Sequence, residues 1–287
     1  MKIERPILGY AVIGMAILSL ACAKERAVVK PFHIINLSFP RTGTTSFAKI
    51  FGNYPATHEF MRSETINALL DWREKKFSDE ELIRFLRERG RLAGHFVDSA
   101  AFLFIAPEML MRTFPDAKFF FSIRDCESWI ISLIDQELAV MDEVRRGRAV
   151  IDLSYHDRYA KLFTSRFNRS AFYDRNALLK EAEPLLNDLA QFWSSFTLST
   201  LEKMLKLPRD QRLIIHLENF DNSISKMAAF AGVRTSDLNL RKTHFNKDFA
   251  AAEIRRLVGA KLLNKVAEIH QAKVDNWLAA HRSEIEE

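Results

Sequence analysis

The stretch from Phe32 to Phe51, FHIINLSFPRTGTTSFAKIF, constrains the fold of this chain more than any other. Its apolar residues as far as Phe39 form the kind of short run that makes a parallel strand covered on both faces. Pro40 ends this strand because it cannot donate to a sheet ladder. Gly43 permits a tight turn, and hydroxyl residues then begin a helix, whose first N–H groups have no intrahelical partner. The stretch therefore predicts an anion cradle, most often one for phosphate.

The cradle departs from the nucleotide triphosphatase signature, G-x-x-x-x-G-K-[ST]. Ser38 takes the place of the first glycine, Thr44 takes the place of the lysine, and Arg41 supplies a cation from within the loop instead. The segment from Pro40 to Thr45, PRTGTT, resembles the 5′-phosphosulfate loop of sulfotransferases, whose donor is 3′-phosphoadenosine 5′-phosphosulfate (PAPS). For this segment alone, the plain alternative is a strand, turn and helix with polar residues.

A second segment, FPDAKFFFSIRDCESWIISL at 114–133, carries the resemblance further. It contains an apolar strand from Lys118 to Ile123, then Arg124, and then a helix with Ser132. An arginine at a strand end presents a planar fork of donors to a phosphate, and a serine on the next helix adds another donor. Sulfotransferases bind the 3′-phosphate with an Arg and a Ser eight residues later, so the resemblance implies this role for Arg124 and Ser132. The Trp shortly after the Arg resembles the bacterial-type branch of the family.

The resemblance covers most of residues 32–250 and implies a P-loop NTPase-like sulfotransferase fold of the α/β class. We expect three layers (αβα), with a central parallel sheet of about four to five strands and the donor at the carboxyl edge of the strands. A chain of 287 residues, 48% of them hydrophobic, suits one such domain, which we place at 32–287. The implied donor is PAPS, and 3′-phosphoadenosine 5′-phosphate (PAP) is the implied product.

The resemblance also assigns roles to basic and hydroxyl residues. Arg41 is expected to stabilise the charge that develops on the leaving phosphate. The residues expected to bind the 5′-phosphate, chiefly through N–H groups, are Thr42, Gly43, Thr44, Thr45 and Ser46. Weaker candidates for closing over the donor are Arg241, Lys242 and Lys247. Thr243 replaces the glycine of the late Arg-Lys-Gly loop of cytosolic relatives, and a charged run of this kind is also typical of a solvated surface.

Four residues are candidates for the general base, and the sequence does not choose among them. One branch of the family uses a glutamate soon after the phosphosulfate loop, which favours Glu59, with His58 beside it. Cytosolic relatives use a histidine after an early strand, so His95 and Asp98 in the strand predicted at 92–98 are alternatives. A structural hydrogen bond is the other role open to each residue, and a carboxylate base needs desolvation or tight positioning to act on an alcohol. We expect Gly90 to end the helix before this strand.

Residues 1–31 lie outside the resemblance and form a separate N-terminal hydrophobic segment. The apolar run at 6–23 has basic residues on both sides and predicts a membrane anchor or a signal-like segment. A helix packed on the domain is the third interpretation. The protein is accordingly expected to be membrane-associated through this run, or cytoplasmic if the run packs on the domain.

Composition narrows the remaining classes of function. A net charge of +5 is either ordinary solubility charge or a field that attracts a polyanionic donor, and without a clustered basic patch we expect no nucleic acid partner. The scattered histidines and two cysteines show no metal-site spacing. The alternatives to sulfuryl transfer are a P-loop-type kinase or nucleotide hydrolase, and a non-catalytic nucleotide-binding interaction protein. The 23 phenylalanines favour an apolar alcohol or phenol as acceptor, while lipid and glycan hydroxyls stay open.

Overall fold

The computed structural model describes residues 33–94, 96–148, 158–163, 180–240 and 251–286. Within these ranges, five parallel strands form one sheet in the order β2-β3-β1-β4-β5. The strands are β1 (Ile34–Asn36), β2 (Ala56–Thr57), β3 (Val97–Asp98), β4 (Lys118–Ile123) and β5 (Arg212–His216). The expected α/β fold with a parallel sheet of four to five strands is confirmed.

Helices connect the strands and follow the last one. In chain order, they are α1 (Thr44–Ile50), α2 (Arg62–Arg73), α3 (Asp79–Ala93), α4 (Pro107–Thr113), α5 (Cys126–Arg145), α6 (Ala182–Leu205), α7 (Ile224–Ala231), α8 (Ala251–Val258), α9 (Ala260–Ala280) and α10 (Arg282–Glu286). Parallel strands need such crossover connections, because the chain must return to the starting edge of the sheet before each new strand.

Both faces of the sheet are covered, since successive strand residues point to opposite sides. Ile34 and Phe120 pack on one side, against Phe47 of α1 and Met227 of α7. Neighbouring strand residues pack on the other side, with apolar side chains of α2 to α6, α8 and α9. The two buried clusters make the three layers, and they explain why the strands appear in the sequence as apolar runs with little alternation.

Helix α3 corrects one expectation from the sequence. It continues through Gly90 to Ala93, and β3 covers only Val97–Asp98 of the predicted strand at 92–98. Gly90 is buried in the helix, and Gly94 supplies the left-handed cap at φ 56°. The glycine that ends a helix is the one that can take this conformation after the last turn, here four residues later than predicted.

Several sequence predictions fall outside the described residues. These are the apolar run at 6–23, His95, and the late basic residues Arg241, Lys242 and Lys247. In the part of the chain that the structure describes, no helix combines the length and the apolar character needed to span a membrane.

Candidate functional site

The loop after β1 lies at the carboxyl edge of the sheet and leads directly into α1. Gly43 begins this helix in the left-handed conformation, at φ 87°. A Cβ atom at this position would lie 2.6 Å from Cδ1 of Leu217, the end of a side chain that can shift, so it is the backbone angle that requires glycine here. Arg41 also takes a left-handed conformation, at φ 66°, which is uncommon for a residue with a side chain. The loop therefore has a defined and partly strained shape.

Donors from three other elements hold the carbonyl groups of this loop. The indole Nε1 of Trp129 donates to the Pro40 carbonyl at 2.8 Å, and Arg124 Nη1 donates to the Arg41 carbonyl at 3.1 Å. Two hydroxyl groups hold further carbonyls: Ser122 donates to the loop carbonyl of Thr42, and Ser99 donates at 2.8 Å to the carbonyl of Thr44, the first residue of α1. The loop is thus tied to the carboxyl ends of β3 and β4 and to the start of α5.

These two serines belong to a buried polar network that sequence reasoning missed. Asn36 Nδ2 donates to Ser99 Oγ at 2.9 Å, and the Asn36 Oδ1 accepts from the Ser38 N–H at 2.8 Å. The backbone N–H of Ser122 donates to Ser38 Oγ at 2.8 Å. All four side chains are fully buried. The available signal was the position of polar residues at the carboxyl ends of otherwise apolar strands.

The two sequence motifs meet above this network. Arg41 Nε donates to Ser132 Oγ at 2.7 Å, and Arg124 holds the Arg41 carbonyl. Ser132 is fully buried on α5, whereas both arginine side chains are only partly buried. Asp125, next to Arg124, caps α5 by accepting the Ser128 N–H at 2.8 Å. The structure therefore brings the cation of the first motif and the arginine–serine pair of the second into direct contact.

His58 lies beside the hydroxyl groups at the start of α1. Its Nε2 is 3.1 Å from Thr45 Oγ1 and 3.5 Å from Thr44 Oγ1. Desolvation of the imidazole lowers the pKa of His58, while the negative charge of Glu59 acts in the opposite direction. Since the lowered pKa favours the neutral ring near neutral pH, His58 can accept a proton at the edge of the loop.

Glu59 and Asp98, two other candidate bases, both pair with arginines. Glu59 Oε2 lies 3.2 Å from Arg62 Nη1, and both side chains keep part of their surface in solvent. Asp98 is fully buried, and Arg89, also buried, donates to both of its carboxylate oxygens. Arg89 is further held by Thr65 Oγ1 at 3.0 Å and by a backbone carbonyl. The Arg89–Asp98 pair was missed in the sequence, because its arginine lies on the preceding helix.

A buried carboxyl group on α5 is a further feature that sequence reasoning missed. Glu137 lies five residues after Ser132, and its Oε2 is shielded from solvent. Burial raises the pKa of Glu137 to about 7, and the positive charge of Arg62 opposes this rise. Arg62 lies at the start of α2, just after His58 and Glu59. No sequence signal marks this residue, because a glutamate in a long helix is ordinarily exposed.

The structure places the other sequence-predicted residues at the same edge of the sheet. Thr42 and Thr44 are buried, and Thr45 and Ser46 lie half-buried in the first turn of α1. Among the described residues, no three His, Cys, Asp or Glu side chains come together in a way that would hold a metal ion.

Comparison with known proteins gives a family. A model of the sulfotransferase domain matches residues 33–282. Among solved structures, a sulfotransferase from Alicyclobacillus acidocaldarius is similar to the chain with 16% identity and a TM-score of 0.34, covering 83% of this chain and 96% of that one. A search of curated proteins finds no match. Since the domain model spans well over half of the sequence, this chain belongs to the sulfotransferase family.

Proposed function

We propose that the chain transfers a sulfuryl group from PAPS to a hydroxyl group of an acceptor. The observation that carries the proposal is the hydrogen bond of 2.7 Å from Arg41 Nε to Ser132 Oγ. It joins the loop expected to hold the 5′-phosphosulfate to the serine expected at the 3′-phosphate. Arg124, which holds the Arg41 carbonyl, completes a group of donors suited to a ligand with two phosphates.

Each of these residues has a distinct role in the proposed reaction. The acceptor oxygen bonds to sulfur while the bond from sulfur to the phosphate oxygen breaks, and PAP leaves with the electron pair of that bond. Arg41 stabilises the charge that develops on the leaving phosphate. Arg124 and Ser132 bind the 3′-phosphate and so fix the direction of attack. Arg241, Lys242 and Lys247 stay predicted contributors to donor binding.

We propose that the imidazole of His58 is the general base that takes the proton of the acceptor hydroxyl group. Its imidazole lies within hydrogen-bond distance of Thr45, and its lowered pKa keeps it ready to accept a proton. Glu59 is the next candidate, although its carboxylate pairs with Arg62. The buried ion pair with Arg89 gives Asp98 a structural role that explains its position without catalysis. His95 stays a predicted alternative.

The contacts favour sulfuryl over phosphoryl transfer. A kinase or nucleotide hydrolase needs a lysine on the phosphates and an acid for Mg²⁺. Thr44 stands in the lysine position, and Arg89 binds both oxygens of Asp98, the acid that ends β3 next to β1. Near the end of β5, Glu218 Oε1 accepts the Asp125 N–H at 3.3 Å. The titration described below, followed by assays on the acceptor classes, distinguishes a non-catalytic nucleotide-binding role from sulfuryl transfer.

The acceptor is proposed by class alone. It carries a hydroxyl group, and we propose an apolar alcohol or phenol, with lipid and glycan hydroxyls as the other classes and no nucleic acid partner. The buried phenylalanine rings of the core account for much of the aromatic content that suggested an apolar acceptor. Membrane contact through residues 6–23 stays part of the proposal, because a nearby bilayer suits an apolar acceptor.

The proposal is tested by calorimetric titration of the full chain with PAP and with adenosine 5′-monophosphate, which lacks the 3′-phosphate. We expect the wild type to prefer PAP, and Arg124→Ala and Ser132→Ala to bind both nucleotides with similar affinity. Arg112→Ala, which removes an exposed arginine paired with Asp79, is the matched control and should keep the preference. PAP binding followed by failure on every acceptor class would support the non-catalytic role. A wild type without preference for PAP would contradict the proposed donor site.

A further inference from the structure

We propose that Ser99 and Ser122 are positioning residues, which hold the loop in the form that binds the 5′-phosphate of the donor. Ser122 holds the loop carbonyl of Thr42, and Ser99 holds the carbonyl of Thr44 at the start of α1. The N–H groups that follow these carbonyls are thereby turned toward the ligand. The inference rests on the proposed function, since it takes the 5′-phosphate of the donor as the ligand of the loop. It adds to that function two residues that act through the backbone.

Ser99 makes the first of the two carbonyl contacts. Its Oγ donates to the Thr44 carbonyl at 2.8 Å. Asn36 Nδ2 donates to the same Oγ at 2.9 Å, and the Asn36 amide is oriented by the N–H that its Oδ1 accepts. Because an amide NH₂ group can only donate, the hydroxyl proton of Ser99 goes to the Thr44 carbonyl. In a trans peptide the carbonyl and the next N–H point in opposite directions, so the Thr45 N–H points away from Ser99.

Ser122 makes the second contact, and it orients the peptide before Gly43 in the same way. Its hydroxyl group lies near both the Thr42 carbonyl and Ser38 Oγ. The carbonyl can only accept, so it takes the single hydroxyl proton of Ser122, and Ser38 donates to Ser122 in turn. The Gly43 N–H therefore points away from the serines, and among the described residues no acceptor is found for it.

The arrangement has a clear electrostatic consequence. Both serines are fully buried, so water cannot replace either hydroxyl group. The Thr42 carbonyl, in the loop, would be left unpaired, whereas the Thr44 carbonyl, in the first turn of α1, would lose its tie to the end of β3. Without Ser122 the Thr42–Gly43 peptide can rotate, which would place a carbonyl oxygen where the N–H had been. Without Ser99 the first turn of α1, which carries the Thr45 N–H, can shift. A carbonyl oxygen in that place would repel a phosphate, and a displaced Thr45 N–H would no longer bind it, so removing either hydroxyl group should weaken 5′-phosphate binding on the order of tenfold. Arg41 and Gly43, both at positive φ, place strain in the loop, and strained backbone keeps its shape only while the surrounding groups hold it.

The test compares two ligands on Ser99→Ala and Ser122→Ala in the full chain. PAP carries both phosphates, whereas adenosine 3′-monophosphate lacks the 5′-phosphate. We expect each variant to lose about tenfold in PAP affinity and to keep wild-type affinity for adenosine 3′-monophosphate, measured by calorimetry. Ser194→Ala is the matched control: it removes a buried hydroxyl group that bonds to His270 Nδ1 at 2.8 Å between α6 and α9. It should lose comparable thermal stability and no affinity for either ligand.

Each outcome decides the matter. Unchanged PAP affinity in both serine variants, with a wild type that binds PAP, would overturn the inference and leave the proposed function standing. An equal loss for both ligands would show a general structural role and also overturn it. A wild type that binds neither ligand would contradict the proposed function and, with it, this inference. Retained binding of adenosine 3′-monophosphate shows that a variant is folded, and two independent positions guard against the misfolding of one.

Discussion

The buried carboxyl group of Glu137 makes the stability of this protein depend on pH in a specific way. Burial raises the pKa of Glu137 from 4.5 to about 7, so the folded chain holds this proton more tightly than the unfolded chain does. The stability contributed by the bound proton is fully present below about pH 4.5 and is lost as the pH rises toward about 7. Glu137→Gln removes the titration and keeps the size of the side chain.

The magnitude follows from the difference between the folded and unfolded pKa values. One pKa unit corresponds to about 1.4 kcal/mol, so a rise from 4.5 to about 7 corresponds to roughly 3 kcal/mol of unfolding free energy. Glu137→Gln should therefore gain stability relative to the wild type as the pH rises, by up to roughly 3 kcal/mol between about pH 4.5 and pH 7. Above that window the difference should stay constant.

The assay is urea unfolding of the wild type and of Glu137→Gln at several pH values between about 5 and 8. Taking the difference between the two proteins cancels the titration of all other groups that the substitution leaves unchanged. Glu202→Gln, at an exposed carboxyl group on α6, is the matched control for the chemical change itself. A stability difference that is independent of pH, or one that falls as the pH rises, would show that the folded chain does not hold the Glu137 proton more tightly than the unfolded chain.

Three further predictions follow from the contacts at the site. Gly43→Ala should destabilise the chain and weaken PAP binding, because a Cβ at φ 87° strains the loop and displaces Leu217. Gly232→Ala places the same kind of strain, at φ 71°, outside the site and should leave binding intact; calorimetry compares them. Asp98→Asn and Arg89→Met should each cost about 3 kcal/mol or more in urea unfolding, and the double variant should cost much less than their sum; additive costs would contradict the ion pair. The His58 imidazole should titrate below 6.5 when followed by NMR, and a higher value would contradict the burial that lowers its pKa.

The parts of the site that the sequence predicts well are the local ones. The loop and the start of α1 lie within about a dozen residues, so the apolar run, Pro40 and Gly43 are enough to indicate a strand, a turn and a helix. Arg124 and Ser132 are also close in sequence, on a strand end and the following helix. Patterns of this kind are set by backbone geometry over a few residues, and such geometry can be read from residue types.

The missing parts depend on which strands are neighbours. Arg41 and Ser132 are 91 residues apart, and their contact exists because β1 pairs with β4. Ser99 reaches the loop because β3 pairs with β1 on the other side. Strand order is decided by the packing of the whole sheet, which no local pattern contains. The sequence left the base open for the same reason, since packing sets the contact of His58 with Thr45 and that of Asp98 with Arg89. The assignment of the base to His58 stays a proposal.

In the proposed donor site, this loop and the second motif together bind a nucleotide with a 3′-phosphate and a 5′-phosphate. The most direct measurement is calorimetric titration of the full wild-type chain with PAP in the absence of metal, and with ATP in the presence of Mg²⁺. We predict saturable PAP binding without metal, at least tenfold tighter than binding of ATP with Mg²⁺, because paired phosphate contacts from Arg41, Arg124 and Ser132 suit PAP. Tighter binding of ATP with Mg²⁺ would contradict the account and favour phosphoryl transfer.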